Sequence, residues 1–153
     1  MGYAMYQENV DFCIKRENIP AALAAVKAMF VPDRKDEARP RYAWVDEACA
    51  DASTLEGALE CWSIEVEHDE EGNIDSIMLQ GEKLGDELHL FRTLAPFVEH
   101  ASFIEVIGPD DNSRWRWVFM WGVCREEYPE IIWPYQANMA MQELVRASGE
   151  GTP

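Results

Sequence analysis

Carboxylates are the most numerous side chains in this sequence that can do chemistry. The chain has 153 residues with 29 acidic and 13 basic side chains, and its formal net charge is −16. Residues 46–87 hold 14 of the acids and a single base, Lys83, so this stretch alone carries a charge of −13. Such a field attracts basic surfaces and repels nucleic acid and anionic membranes. The charge indicates either a dedicated basic partner or simply a solvated acidic surface.

Six of these acids lie in one predicted β-hairpin. Apolar residues alternate with acids along residues 64–68, and a second alternating segment follows at residues 74–79. Alternation with a period of two residues is typical of half-buried strands. Folded acidic proteins, such as nuclease inhibitors and immunity proteins, can present carboxylates to a basic cleft in place of phosphates. We therefore predict a partner-binding site formed by Glu65, Glu67, Asp69, Glu70, Glu71 and Asp75.

Histidine and tryptophan supply a second set of candidates. His89 and His100 are 11 residues apart, a separation that fits no recognised metal or catalytic motif. Trp115 and Trp117 alternate with arginines, so on a strand they share one face. Such rings can stack on bases or form core beneath helices, and the lack of clustered Lys and Arg favours the core. A pocket between sheet and helices near these four residues would make the chain a small enzyme or small-molecule binder.

Motifs for catalysis, metal binding and cofactor binding are missing from the sequence. The cysteines at positions 13, 49, 61 and 124 contain no C-x-x-C pair, so we expect buried free thiols. Residues 81–85 contain two glycines without the spacing of a phosphate-binding loop. We assign no catalytic residue, no metal and no cofactor, and we expect no direct contact with nucleic acid.

Hydrophobic periodicity predicts the elements that position these residues. The predicted strands are 10–14, 41–45, 64–68, 74–79, 102–108, 114–121, 123–126 and 131–133, and the predicted helices are 20–31, 55–62, 86–98 and 136–147. Two β-α-β units, at 10–45 and 74–108, predict an α+β fold with a mainly antiparallel sheet, helices on one face and a ferredoxin-like elaborated sandwich. The expected organisation is one domain over residues 1–135 followed by a C-terminal helix and frayed tail over 136–153.

The sequence also bears on location and assembly. It contains no run of 18 apolar residues and no basic start followed by an apolar segment, so we expect a cytoplasmic protein without a membrane span. Residues 131–133, or a helix carrying Met139 and Met141, offer apolar side chains for a homodimer.

Several segments carry a resemblance to known proteins. They are residues 1–7, 10–15, 81–86, 103–105 and 115–119. Together they resemble small acidic proteins of bacteria and their phages, a family without an assigned activity. The likeness covers most of residues 1–133 and implies no catalytic residue or cofactor.

The function that we predict from the sequence is non-enzymatic binding. The acidic 46–87 region would engage a basic macromolecular partner, and the specific hypothesis is an inhibitor of the immunity, anti-defence or nucleic-acid-mimic type. The alternative is the small enzyme or small-molecule binder described above.

Overall fold

The computed structural model describes residues 4–30, 42–81, 85–110 and 113–149, except for the side chains of residues 136 and 137. The strands are β1 Tyr6–Asp11, β2 Ile64–His68, β3 Ile74–Leu79, β4 Phe103–Ile107, β5 Arg114–Met120 and β6 Val123–Glu127. The α-helices are α1 Ile19–Ala28, α2 Leu55–Glu60, α3 Glu87–Leu94 and α4 Pro134–Gly149, and short 3-10 segments cover Arg16–Asn18, Glu47–Asp51 and Ala95–Phe97.

The described strands form two antiparallel sheets. The larger sheet has the order β1-β4-β5-β6, and β2 and β3 form a separate hairpin. The predicted α+β class with a mainly antiparallel sheet is therefore confirmed. The ferredoxin-like arrangement of two β-α-β units differs from this topology, because β3 and β4 belong to different sheets. Strand β4 already pairs with β1 on one side and β5 on the other, so neither side is open to β3.

The predicted strand at 41–45 is wrong for its described part. Residues 42–45 form a turn in which the backbone N–H of Val45 donates to the carbonyl of Tyr42 at 3.1 Å. Tyr42 and Val45 are both buried. Three-residue spacing in a turn brings these two apolar side chains to the core, so alternation along a strand is not needed to bury them.

The C-terminal prediction needs two corrections. Residues 131–133 form no strand, since β6 ends at Glu127 and Pro129 and Pro134 cannot donate to a sheet ladder. The last helix begins at Pro134 rather than at residue 136, because proline's missing N–H costs nothing in the first helical turn. The same helix continues through Ser148 and Gly149, the first residues of the predicted frayed tail, and residues 150–153 lie outside the described residues.

The main core lies between one face of the larger sheet and α3. The ring of Phe91 in α3 lies 4.8 Å from the ring of Trp117 and 6.0 Å from that of Phe119. Phe12 adds an edge-on contact to Phe119 at 5.5 Å. The aromatic residues of β5 therefore form core, as the absence of nearby basic clusters predicts.

Candidate functional site

The β2–β3 hairpin buries one face and presents acids on the other. Glu65 lies opposite Met78 and Glu67 lies opposite Ser76 in the register of the two strands. Both glutamates are exposed, while Ile64 and the other inward residues pack into the core. Because successive side chains of a strand alternate between faces, the two carboxylates emerge on the same side, about 7 Å apart along β2. The predicted period-2 pattern is confirmed here.

Asp69 folds the tip of the hairpin. Its Oδ1 accepts hydrogen bonds from the backbone N–H groups of Glu71 and Asn73, both at 2.9 Å. Its Oδ2 accepts from the side-chain amide of Asn73 at 2.7 Å, and this bond is the main reason that the pKa of Asp69 is lowered. Gly72 supplies the left-handed conformation, with φ +83°, that the turn needs. Glu70 and Glu71 are left exposed at the tip.

Asp75 lies at an irregularity in the hairpin. Glu67 pairs with Ser76, but the next residue, His68, pairs with Ile74, so Asp75 has no opposite residue. The extra residue makes a β-bulge, and its side chain is exposed. Five of the six predicted partner-binding acids are thus exposed, and Asp69 is partly buried by its role in the turn.

Side-chain and backbone bonds fix the outer edge of β3 to the rest of the molecule. The amide of Gln7 in β1 donates to the carbonyl of Ile77 at 2.8 Å and accepts from the N–H of Leu79 at 3.0 Å. Ile14 and Ile74 exchange two backbone hydrogen bonds of 2.8 and 3.0 Å. The acidic hairpin, which we define as residues 64–79, is therefore held at both ends of β3, by Gln7 of the larger sheet at one end and by Ile14, which follows β1, at the other.

Residues 42–81 contain no base to compensate their own charge, and the nearby cation that the structure places at the hairpin tip is Arg16, whose side chain packs against Gly72. Described residues 42–81 contain eleven Asp and Glu side chains and no Lys or Arg. The ion pairs found among the described residues all lie on the larger sheet, where Arg114 pairs with Glu8 and Glu105 and Arg116 pairs with Glu127. Residues 42–81 take part in none of them, so their negative field extends into solvent.

The residues of the predicted pocket lie in two different environments. Trp115 and Trp117 are buried, with ring centroids 6.1 Å apart and planes at 90°. His89 is exposed on α3, and its ring lies 6.3 Å from that of Tyr42. His100 is also exposed and stacks on Trp121 at 3.8 Å. Two of the four side chains therefore belong to the core and two to the surface.

A cleft of about 350 Å³ lies on the opposite, outward face of the larger sheet. Its lining consists of Glu105, Arg114, Trp115, Arg116, Glu127, Tyr128, Pro129 and Glu130. Both arginines are paired with carboxylates at 2.8 to 3.2 Å, so neither offers a bare positive charge to an anionic ligand. Sequence reasoning missed this cleft because it depends on how residues 127–130 leave the sheet.

Two cysteines that are distant in sequence lie side by side. Cys49 and Cys61 lie close enough for each thiol to influence the pKa of the other. Their Sγ atoms also lie 3.5 Å from the carbonyl of Ala58 and 3.4 Å from that of Gly57, respectively. Burial raises the pKa of Cys49 to about 11 and also raises that of Cys61. All four cysteines are free thiols, but only Cys49 and Cys124 are buried as predicted, whereas Cys13 and Cys61 are half-buried.

The described residues offer neither a metal site nor a membrane-spanning helix. No group of three or more His, Cys, Asp and Glu side chains in the described ranges is arranged to hold a metal ion. No described helix combines the length and apolar character that crossing a bilayer requires. Comparison of the chain with protein-family models, with curated proteins and with solved structures gives no match.

Proposed function

We propose that this chain is a non-enzymatic binding protein whose acidic hairpin engages a basic surface of a macromolecular partner. The observation that carries the proposal is the concentration of eleven acids without one Lys or Arg in described residues 42–81. A basic surface facing this region gains attraction over its whole area, which raises the association rate and favours a partner of opposite charge.

The hairpin is fixed in position, as a binding surface with a defined arrangement of carboxylates requires. Hydrogen bonds from Gln7 and Ile14 hold β3 in place, and the Asp69 turn closes the tip of the hairpin. The carboxylates of Glu65 and Glu67 therefore extend from a fixed strand. The hairpin loses less conformational entropy when it binds a partner than a disordered acidic tail would lose. A fixed array of carboxylates facing a basic cleft competes with the nucleic acid or other acidic ligand of that cleft. Inhibition is thus the specific form of binding that we propose.

Charge reversal tests the location of the binding surface. The first variant carries Glu67→Lys, Glu70→Lys and Glu71→Lys. The matched control carries reversals of exposed acids elsewhere, Asp11→Lys and Asp110→Lys together with Glu143→Lys, so that net charge changes equally. Binding of a fluorescent lysine homopolymer to the full chain is measured by anisotropy at roughly 50 and 500 mM salt.

We expect the hairpin variant to lose about ten-fold or more in affinity at low salt and the control to lose much less, because the attraction is local at this Debye length. Wild-type binding should weaken strongly at high salt. Equal losses in the two variants would mean that only net charge matters, and this would end the proposal, as would binding that is insensitive to salt.

A second candidate function, small-molecule binding, is favoured by the cleft on the larger sheet. Tyr128 and the paired Arg114 and Arg116 offer donors and acceptors along the outward face of β5. A neutral or zwitterionic ligand suits this lining better than a phosphate. A thermal-shift screen separates the candidates: stabilisation by a small molecule that is lost in Tyr128→Ala supports the cleft, and a screen without stabilising compounds rejects it.

A further inference from the structure

Cys49 and Cys61 are a pair of thiols for which the proposed binding function has no use. The Sγ of Cys49 lies 3.5 Å from the carbonyl oxygen of Ala58, and the Sγ of Cys61 lies 3.4 Å from that of Gly57. Carbonyl oxygens of consecutive helical residues are only about 3.5 Å apart, so both sulfurs lie at the same turn of α2. Each thiol also influences the pKa of the other. The two side chains are therefore neighbours, although 12 positions separate them in the sequence.

The elements that carry the two cysteines keep them together. Cys49 is in the middle of the 3-10 segment Glu47–Asp51, which packs beside α2, and Cys61 caps the C-terminal end of that helix. The short connection between the two elements ends at Thr54, whose Oγ1 accepts a hydrogen bond from the N–H of Gly57 at 3.0 Å. Groups that the fold holds side by side react with each other at a high effective concentration.

The two thiols differ in their access to solvent. Cys61 is half-buried, whereas Cys49 has no exposed surface. Because the thiolate is the form that attacks an oxidant, and a small oxidant can reach only the accessible sulfur, Cys61 reacts first and Cys49 second.

Trp62 supplies a polar group beside Cys49. Its indole N–H is buried and has no hydrogen-bond partner among the described residues. Burial raises the pKa of Cys49 to about 11, and the Trp62 side chain acts in the opposite direction. This N–H is thus available to the Cys49 sulfur when the thiol loses its proton.

We propose that Cys49 and Cys61 are an oxidative modification site that forms an intramolecular disulfide when the protein meets hydrogen peroxide. The Cys61 thiolate attacks the peroxide, so that an S–O bond forms, the O–O bond breaks, and the leaving hydroxide takes up the thiol's proton as water. The Cys49 thiolate then attacks the sulfenic sulfur of Cys61, so that the S–S bond forms, the S–O bond breaks, and a second water leaves with the Cys49 proton. The two thiols lose two electrons in total, and the peroxide gains them. Exchange with a thiol reductant reverses the modification.

The disulfide joins the 3-10 segment to the end of α2. A cross-link that closes a loop of this length restricts the unfolded chain. We therefore expect oxidation to raise the Tm by roughly 5–10 °C.

Peptide mapping of the full chain after treatment with hydrogen peroxide tests the proposal. Free thiols are alkylated in denaturant, and the chain is cleaved after glutamate, because Glu56 and Glu60 lie between the two cysteines whereas no Lys or Arg does. We expect a cross-linked pair of peptides that contain Cys49 and Cys61 and that separate after reduction with dithiothreitol. The rate of cross-linking should rise about ten-fold from pH 7 to pH 8, since the thiolate fraction rises by that factor.

The other two cysteines provide the matched control. Cys13 is half-buried like Cys61 but lies on another part of the fold, where its carbonyl accepts from the N–H of Glu99 at 2.8 Å. Cys13→Ser combined with Cys124→Ser should keep both the cross-link and the rise in Tm. Cys61→Ser should show neither.

Three results would overturn the proposal. The first is a chain whose four thiols all stay reduced in peroxide. The second is oxidation of Cys61 to the sulfinic acid without a cross-link, because the two sulfurs would then fail to meet. The third is a disulfide that involves Cys13 or that joins two chains. None of these outcomes depends on a partner for the acidic hairpin.

Discussion

The Gln7 side chain is one of the links between the two sheets, and its removal gives the sharpest stability prediction. The Gln7 amide makes two hydrogen bonds to the β3 backbone, at Ile77 and Leu79, and each typically contributes about 0.5–1.5 kcal/mol. Gln7→Ala should therefore lower the free energy of unfolding by about 1–3 kcal/mol. For a chain of this length, that corresponds to a fall in Tm of roughly 3–10 °C. The hairpin should also open locally more often.

Chemical denaturation and amide hydrogen exchange measure the two effects of Gln7→Ala. We expect the Leu79 amide to exchange about ten-fold faster or more, since it loses its acceptor. Gln80→Ala is the matched control, because Gln80 is exposed directly after the hairpin and should change stability by less than about 0.5 kcal/mol. The reasoning is refuted if Gln7→Ala and Gln80→Ala have equal unfolding free energies and the Leu79 amide stays protected.

Two further predictions concern pH and titratable groups. Asp69 has a lowered pKa in the folded protein, so its contribution to stability is present at neutral pH and is lost as the pH falls below its ordinary value of 3.8. Asp69→Asn should lower Tm at pH 7 more than Glu70→Gln does, and its deficit should shrink in acid; a pH-independent deficit would contradict this. Burial raises the pKa of Cys124 to about 12, so the unfolded chain releases a proton near pH 9 that the folded protein keeps. Stability should fall as pH rises above about 9, and the alkaline slope from urea titrations should be shallower in Cys124→Ala; equal slopes would exclude the thiol as the cause.

Local periodicity predicted the elements whose two faces differ. The hairpin acids alternate with core residues, and strands β4, β5 and β6 follow the same rule. The helix predicted over 86–98 is shorter in the structure: α3 stops at Leu94 and continues as a 3-10 segment, because Pro96 cannot donate the backbone hydrogen bond of a regular helix. β1 begins at Tyr6 rather than at residue 10, since a register irregularity between Gln7 and Asn9 disrupts the alternation.

Contacts between residues that are far apart in the sequence could not be predicted from it. Gln7 contacts residues about 70 positions away, and the Gln side chain carries no local signal of that role. The sequence predicts Ile14 as part of a regular strand over 10–14. In the structure it makes two isolated bridges, to Ile74 and to Val98, and so joins separate parts of the fold. Cys49 and Cys61 meet only because the 3-10 segment Glu47–Asp51 packs beside α2. Each of these contacts is set by tertiary packing rather than by spacing.

The central claim is that a basic partner docks on the acidic hairpin, and NMR titration tests it most directly. Isotope-labelled full chain is titrated with an unlabelled lysine homopolymer at low salt, and amide shifts are followed along the chain. We predict that the largest changes fall on residues 64–75 and disappear at high salt. Changes that centre instead on the cleft at Arg114 and Tyr128, or that spread evenly over all exposed acids, would contradict the claim.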